Sequence, residues 1–259
     1  MNLHFETRGQ GSPLLILHGL FGSLDNWHSI AGKLANSFQV FSLDLRNHGR
    51  SPHSDEMSYQ SMAEDISEFI ASQRLQQVAL LGHSLGGKVA MQFSLVHPDK
   101  VAALIVADMS PRAYPPRHND IFDALFSLDL SSLHSRKQME EALAPAIPEL
   151  PLRQFLLKNV KRDAGGAFMW RFNLSSLQAN YSRLNEPITS KQAFNKSTLF
   201  IRGGESDYVT DADLPAIHQL FPRAKIITLP RAGHWLHVQA ADEFISQVTA
   251  FLSAESSIH

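Results

Sequence analysis

An α/β fold built on a mostly parallel twisted sheet, flanked by helices and interrupted once by a helical insertion, is predicted by three features of this 259-residue chain. Short apolar runs at residues 14–17, 38–43, 77–81, 101–106, 197–201 and 225–229 alternate with stretches of helical periodicity, as parallel strands covered on both faces require. One run ends in Leu80-Leu81 and turns through Gly82-His83-Ser84-Leu85-Gly86 into a helix-compatible segment. Between Pro111 and Lys196 the alternation stops, and prolines at positions 115, 116, 145, 148, 151 and 187 divide short helical pieces.

These features set the domain boundaries. Residues 1–110 and 197–259 are expected to form the sheet domain, and residues 111–196 a helical cap, or lid, over the carboxyl ends of its strands. Hydrophobic residues make up 44% of the chain and charged residues 19%, an ordinary globular composition. A net charge of -2 provides no broad cationic surface, so nucleic acid is not an expected partner. The absence of cysteine excludes disulfides, thiolate metal sites and a cysteine nucleophile. No run of about 18 apolar residues suggests a membrane span, and the start of the chain lacks a basic-then-apolar leader pattern, so a cytoplasmic protein is expected. Oligomeric state is not encoded in any of these features.

Taken in order, residues 3–8 alternate apolar and polar, as an edge strand with one wet face does. The strand at 14–17 runs into His18-Gly19-Leu20-Phe21-Gly22-Ser23, and residues 25–37 read as a helix with Trp27, Ile30, Ala31 and Leu34 on one face. The strand at 38–43 leads into Asp44-Leu45-Arg46-Asn47-His48-Gly49, where Asp44, Arg46 and His48 are expected to be structural. Tyr59, Met62, Ala63, Ile66 and Ile70 recur at helical spacing and predict a core-facing helix. Within the cap, helices are expected at 119–128, 135–143 and 152–160, held together by Phe122, Phe126, Phe155, Phe168, Trp170 and Phe172. Helices at 211–221 and 242–252 complete the fold.

The chemistry begins at Ser84. A strand, a Gly-x-Ser-x-Gly turn and a helix form the context of a nucleophile elbow, in which glycines let strand and helix pack closely and the serine hydroxyl stands exposed. A serine is a poor nucleophile until a base takes its proton and a third group orients that base. Ser84, Asp207 and His234 follow one another in the order nucleophile, acid, histidine, each after a predicted strand. Backbone N–H groups of Leu20 and Leu85 are the expected oxyanion donors, one from the loop after the strand at 14–17 and one from the residue after the nucleophile. Phe21 and Trp235 are the candidate pocket residues.

His18-Gly19-Leu20-Phe21-Gly22-Ser23, Asp44-Leu45-Arg46-Asn47-His48-Gly49, Gly82-His83-Ser84-Leu85-Gly86-Gly87-Lys88 and Ala232-Gly233-His234-Trp235 together resemble the α/β-hydrolase family. Within it the resemblance is to the YbfF-type bacterial esterases, relatives of a mitochondrial abhydrolase, and extends over essentially the whole chain, including Phe155-Leu156-Leu157-Lys158. It implies a serine esterase without metal or organic cofactor, acting on short acyl esters or acyl-CoA thioesters. It also bears on the acid. In that group the loop matching residues 203–206 resembles Gly-Gly-Asn-Ser without a dependable aspartate, whereas an aspartate matching Asp108 is regular. Asp207 remains the preferred acid from its loop position, and Asp108 is the alternative.

Ser84 at the elbow argues against the epoxide hydrolases and dehalogenases of this scaffold, which need a carboxylate there. A different class of reading, a capped ligand sensor with slow or single-turnover chemistry, is compatible with the same residues.

Overall fold

The apolar runs form strands whose successive side chains point to opposite faces of one sheet, and both faces are covered. The computed structural model describes residues 1–256. In chain order the first half comprises β1 (Phe5–Arg8), β2 (Pro13–Leu17), α1 (His28–Leu34), β3 (Gln39–Leu43), α2 (Tyr59–Ser72), β4 (Val78–His83), α3 (Leu85–Val96) and β5 (Val101–Ala107). An insertion follows, with α4 (Asn119–Ser127), α5 (Arg136–Leu143), α6 (Leu150–Leu157), β6 (Val160–Arg162), β7 (Phe168–Trp170) and α7 (Leu174–Ala179). The chain then returns to the sheet through β8 (Thr198–Gly203), α8 (Leu214–Leu220), β9 (Ala224–Leu229), α9 (Leu236–Gln239) and α10 (Ala241–Ser256).

The main sheet has the order β1-β3-β2-β4-β5-β8-β9. β1 pairs antiparallel with β3 at one edge, and every other pairing is parallel. Alternation along the strands sorts the core into two layers. Leu15, Leu17, Leu80, Leu104 and Val106 pack on the α2, α3 and α8 side with Met62, Val89, Phe93 and Ile217. Leu14, Ile16, Leu81, Ile105 and Ile201 pack on the α1 and α10 side with Trp27, Ile30, Leu34, Phe244 and Val248. Each such buried side chain contributes about 1.5–3 kcal/mol of transfer free energy, so the sheet interior dominates the stability.

The expected helix at 25–37 is a 3-10 turn over Leu24–Trp27 followed by α1. The insertion is less purely helical than expected. Its predicted helix at 152–160 ends at Leu157, and an antiparallel hairpin follows, β6 against β7. Asp163 makes the hairpin turn, accepting from the Ala167 N–H on Oδ1, and Gly166 takes a φ of 86° in the left-handed region that glycine tolerates.

The loop after β3 is structural, as expected, and it also carries part of the insertion. Asp44 accepts the N–H groups of Leu24 and Arg50, and Arg46 forms a buried two-pronged ion pair with Asp65. Asn47 reaches across to the insertion: its carbonyl accepts the Asn173 N–H at 2.9 Å and its amide donates to Ser176 Oγ at 3.1 Å. Both ends of the insertion are tied to α3 by Lys88, which is 1% exposed. Its ammonium donates to the carbonyls of Pro111, Arg112 and Glu186. No helix among the described residues is long and apolar enough to cross a membrane.

Candidate active site

Ser84 occupies the sharp corner between β4 and α3 with φ 53° and ψ -118°. L-residues rarely adopt such a backbone, and its persistence requires that the surroundings over-determine it. They do so through close packing: a Cβ on Gly82 would collide with the Gly86 carbonyl, and one on Gly86 with the Leu17 carbonyl. Strand, turn and helix can approach this closely only with glycine at both positions, and the Ser84 side chain is left at the carboxyl end of the sheet.

His234 lies between β9 and α9. Its Nε2 is 3.0 Å from Ser84 Oγ, and its Nδ1 is 2.8 Å from Asp108 Oδ2. With Nδ1–H donating to the carboxylate, Nε2 is the acceptor that faces the serine hydroxyl. Asp108 directly follows β5, has a φ of 48° and is fully buried. Besides the imidazole, its carboxylate accepts the Gly203 N–H at 2.9 Å and the Ser206 hydroxyl.

The preference for Asp207 is therefore corrected. Its side chain is 70% exposed and pairs with Arg117 at 2.6 Å, a bond that holds its carboxyl below the usual range. The loop after β8 is the one the sequence singled out, but it supplies two donors to the carboxylate of Asp108, after the neighbouring strand. Ser206 was the overlooked residue, and the Gly-Gly-x-Ser pattern carried the signal.

His234 is fixed from several sides. His83 Nε2–H donates to the His234 backbone carbonyl at 2.8 Å, and the Tyr208 ring stacks on the His234 imidazole at 3.7 Å and 15°. Burial pushes the neighbouring histidines toward the neutral form: His18 and His118 down to about 4, His48 and His237 down to about 3, and His83 well below its ordinary value. A proton arriving on His234 thus meets the Asp108 carboxylate and no adjacent imidazolium.

Ser84, Leu20, Leu85 and Lys88 border a recess of about 40 Å³ that Tyr59, Tyr114, Tyr181 and Tyr208 line with aromatic surface. Burial pushes the Lys88 ammonium down to about 7, with the Arg112 charge adding to the effect. Leu85 opens α3, so its N–H has no acceptor within the helix. Phe21 and Trp235 do not line the recess. The Phe21 ring is 2% exposed and is enclosed by Phe122, Phe172 and His118, while Trp235 lies against Phe155 of α6. Both are used for packing between sheet domain and insertion.

A parallel sheet with this strand order, a strained serine after its central β4 and a histidine after its last strand define a hydrolase scaffold. The chain belongs to the α/β-hydrolase fold family, whose model matches residues 12–241. Within that family it is similar to a putative esterase/lipase of Haemophilus influenzae, 38% identical over 98% of this chain and 88% of that protein. It is similar also to the esterase YbfF of Escherichia coli, 32% identical over 96% of each chain. Among solved structures, an esterase from a marine microorganism superposes with a TM-score of 0.95 at 47% identity, covering 96% of this chain and 99% of that one.

Proposed function

We propose that the protein is a serine carboxylesterase that hydrolyses short-chain acyl esters, with acyl-CoA thioesters as a further substrate class, through an acyl-enzyme on Ser84. The observation that carries this reading is the continuous chain of hydrogen bonds from Ser84 Oγ through His234 to the buried Asp108. The esterase relatives support the reaction class, and the small recess beside Ser84, about 40 Å³, supports a short acyl group.

In the first half-reaction, His234 Nε2 takes the Ser84 proton as Oγ attacks the ester carbonyl. The Leu20 and Leu85 N–H groups hold the developing oxyanion, and His234 then protonates the leaving alcohol. In the second half, water is deprotonated by His234 and attacks the acyl-enzyme carbonyl, and as the bond to Oγ breaks His234 returns the proton to Ser84, releasing the acid. Asp108 keeps the imidazole in the tautomer that both halves need. The insertion 111–196 acts as the cap that closes this site from water.

Hydrolysis of p-nitrophenyl butyrate at pH 8 by the protein and by Ser84→Ala tests the reading, with folding followed by circular dichroism. Turnover that is lost in folded Ser84→Ala is the expected result. Turnover that survives there removes the serine mechanism, and single-turnover acylation without release would favour a ligand sensor.

A further inference from the structure

Gly19-Leu20-Phe21-Gly22 forms a tight turn closed by the Gly22 N–H on the Gly19 carbonyl at 3.0 Å. Phe21 is its third residue and has a φ of 59°. A type II turn needs left-handed backbone at that position, where glycine or asparagine is the usual occupant. A phenylalanine there is strained and persists only if something external holds it. Leu20, which precedes it, is the proposed oxyanion donor, so whatever holds Phe21 also sets the donor.

The insertion holds it. The Phe21 ring sits edge-on to Phe122 at 5.0 Å and is tilted against Phe172 at 5.5 Å, with His118 at 6.3 Å. The Phe21 carbonyl accepts a hydrogen bond from Asn159 Nδ2 at 2.7 Å. Asn159 stands between α6 and β6, is fully buried, and is itself fixed on both sides of its peptide. Its N–H donates to the Leu156 carbonyl at 3.0 Å, and its carbonyl accepts the Arg171 N–H at 2.7 Å. Its Oδ1 is buried with no partner. A buried amide that leaves its acceptor unsatisfied loses stability, and the compensating interaction here is the donor placed on Phe21. Only the amino side of the amide can face a carbonyl, so the orientation is not ambiguous.

We propose that Asn159 is a positioning residue for the oxyanion hole: by holding the Phe21 carbonyl it fixes the strained turn that aims the Leu20 N–H beside Ser84, so the hole is complete only when the insertion is seated. The proposal rests on the serine-esterase reading. Substrate in the ground state gains little from a donor aimed at the oxyanion, whereas the tetrahedral intermediate gains much. Loss of the Asn159 bond is therefore read in kcat and not in KM.

The test is steady-state hydrolysis of p-nitrophenyl butyrate by the full chain, by Asn159→Leu and by Asn159→Asp, each with a thermal melt. Asn159→Leu keeps the branched heavy-atom skeleton and removes both the donor and the orphaned acceptor. It is expected to lower kcat by about tenfold to a hundredfold with KM within about twofold, short of the effect of deleting a donor outright. Asn159→Asp retains a donor only while protonated, so its rate relative to the unaltered protein is expected to fall as pH rises. An unchanged kcat in folded Asn159→Leu, or a loss carried by KM alone, overturns the proposal. Should Asn159→Leu fail to fold, a pH-independent ratio for Asn159→Asp overturns it. If the unaltered protein has no Ser84-dependent turnover, the esterase reading itself fails, which is a separate outcome.

Discussion

Asp108 and Asp207 follow two adjacent parallel strands, β5 and β8, and point to opposite kinds of surroundings. Asp108 is fully buried and its carboxylate accepts from a backbone N–H, a hydroxyl and an imidazole. Asp207 is 70% exposed, and its carboxylate accepts from a single guanidinium at the surface. An exposed pair of that kind is screened by water and contributes little. A buried carboxylate without its donors would cost several kcal/mol, roughly the penalty for breaking a buried ion pair. Position after a strand does not decide which carboxylate meets the histidine; the set of donors delivered to it does.

Removing the carboxylate charge at Asp108 is the severest way to break this contrast. Asp108→Asn is expected to leave the fold intact by circular dichroism and to lower kcat for p-nitrophenyl butyrate by about 10⁴, the loss seen for the same change in a serine-protease triad. Thinning the donor set comes next. Ser206→Ala takes the hydroxyl from Asp108, and a hydrogen bond to a charged group of about 1.5–3 kcal/mol predicts a tenfold to hundredfold fall in kcat, measured in the same assay.

Acid acts on a different set of buried groups, histidines that the fold holds as neutral bases. His18 and His118 titrate near 4 in the folded protein, and His48 and His237 near 3, against 6.5 for an unperturbed histidine. Below pH 6.5 the unfolded chain therefore binds protons that the folded protein refuses. Their contribution is fully present above 6.5 and is lost progressively down to about 4 and then 3. Melting temperature followed by calorimetry is expected to fall steadily over that interval, and a flat profile from pH 6.5 to 4 would contradict the burial of these rings. The smallest effect belongs to Asp207. Asp207→Asn should keep kcat/KM within about twofold, since only a surface pair is lost.

Much of this architecture was legible in the amino-acid order. The six apolar runs became the six parallel-paired strands, because a short, mostly apolar run of four to six residues bounded by polar residues has few other places to go. Ser84 and His234 were legible because each sits in a glycine-containing turn directly after a strand, which is a local signature. The partner of His234 was legible only through the resemblance, which offered Asp108 as the alternative to Asp207: the choice depends on Ser206 and Gly203 reaching a residue 95 to 98 positions away, and spacing along the chain does not encode that pairing. The hairpin of β6 and β7 was hidden for a simpler reason, since three-residue strands are too short to show a period. The pocket assignment failed at Phe21 and Trp235 because large aromatics beside a site were as useful for joining two layers as for meeting a ligand.

Lys88 has a consequence for how the molecule comes apart. One ammonium holds α3 to carbonyls at the start and the finish of the insertion, and the Tyr114 and Ile188 amides close the same neck onto Asn185 and Pro111. Opening that neck would strand a buried amine and three carbonyls at once. Its amides therefore exchange with solvent only when the sheet itself unfolds, so nucleophile helix and neck behave as one cooperative unit. The hairpin turn at residues 163–167, exposed and bonded mostly to itself, lies outside that unit and opens on its own.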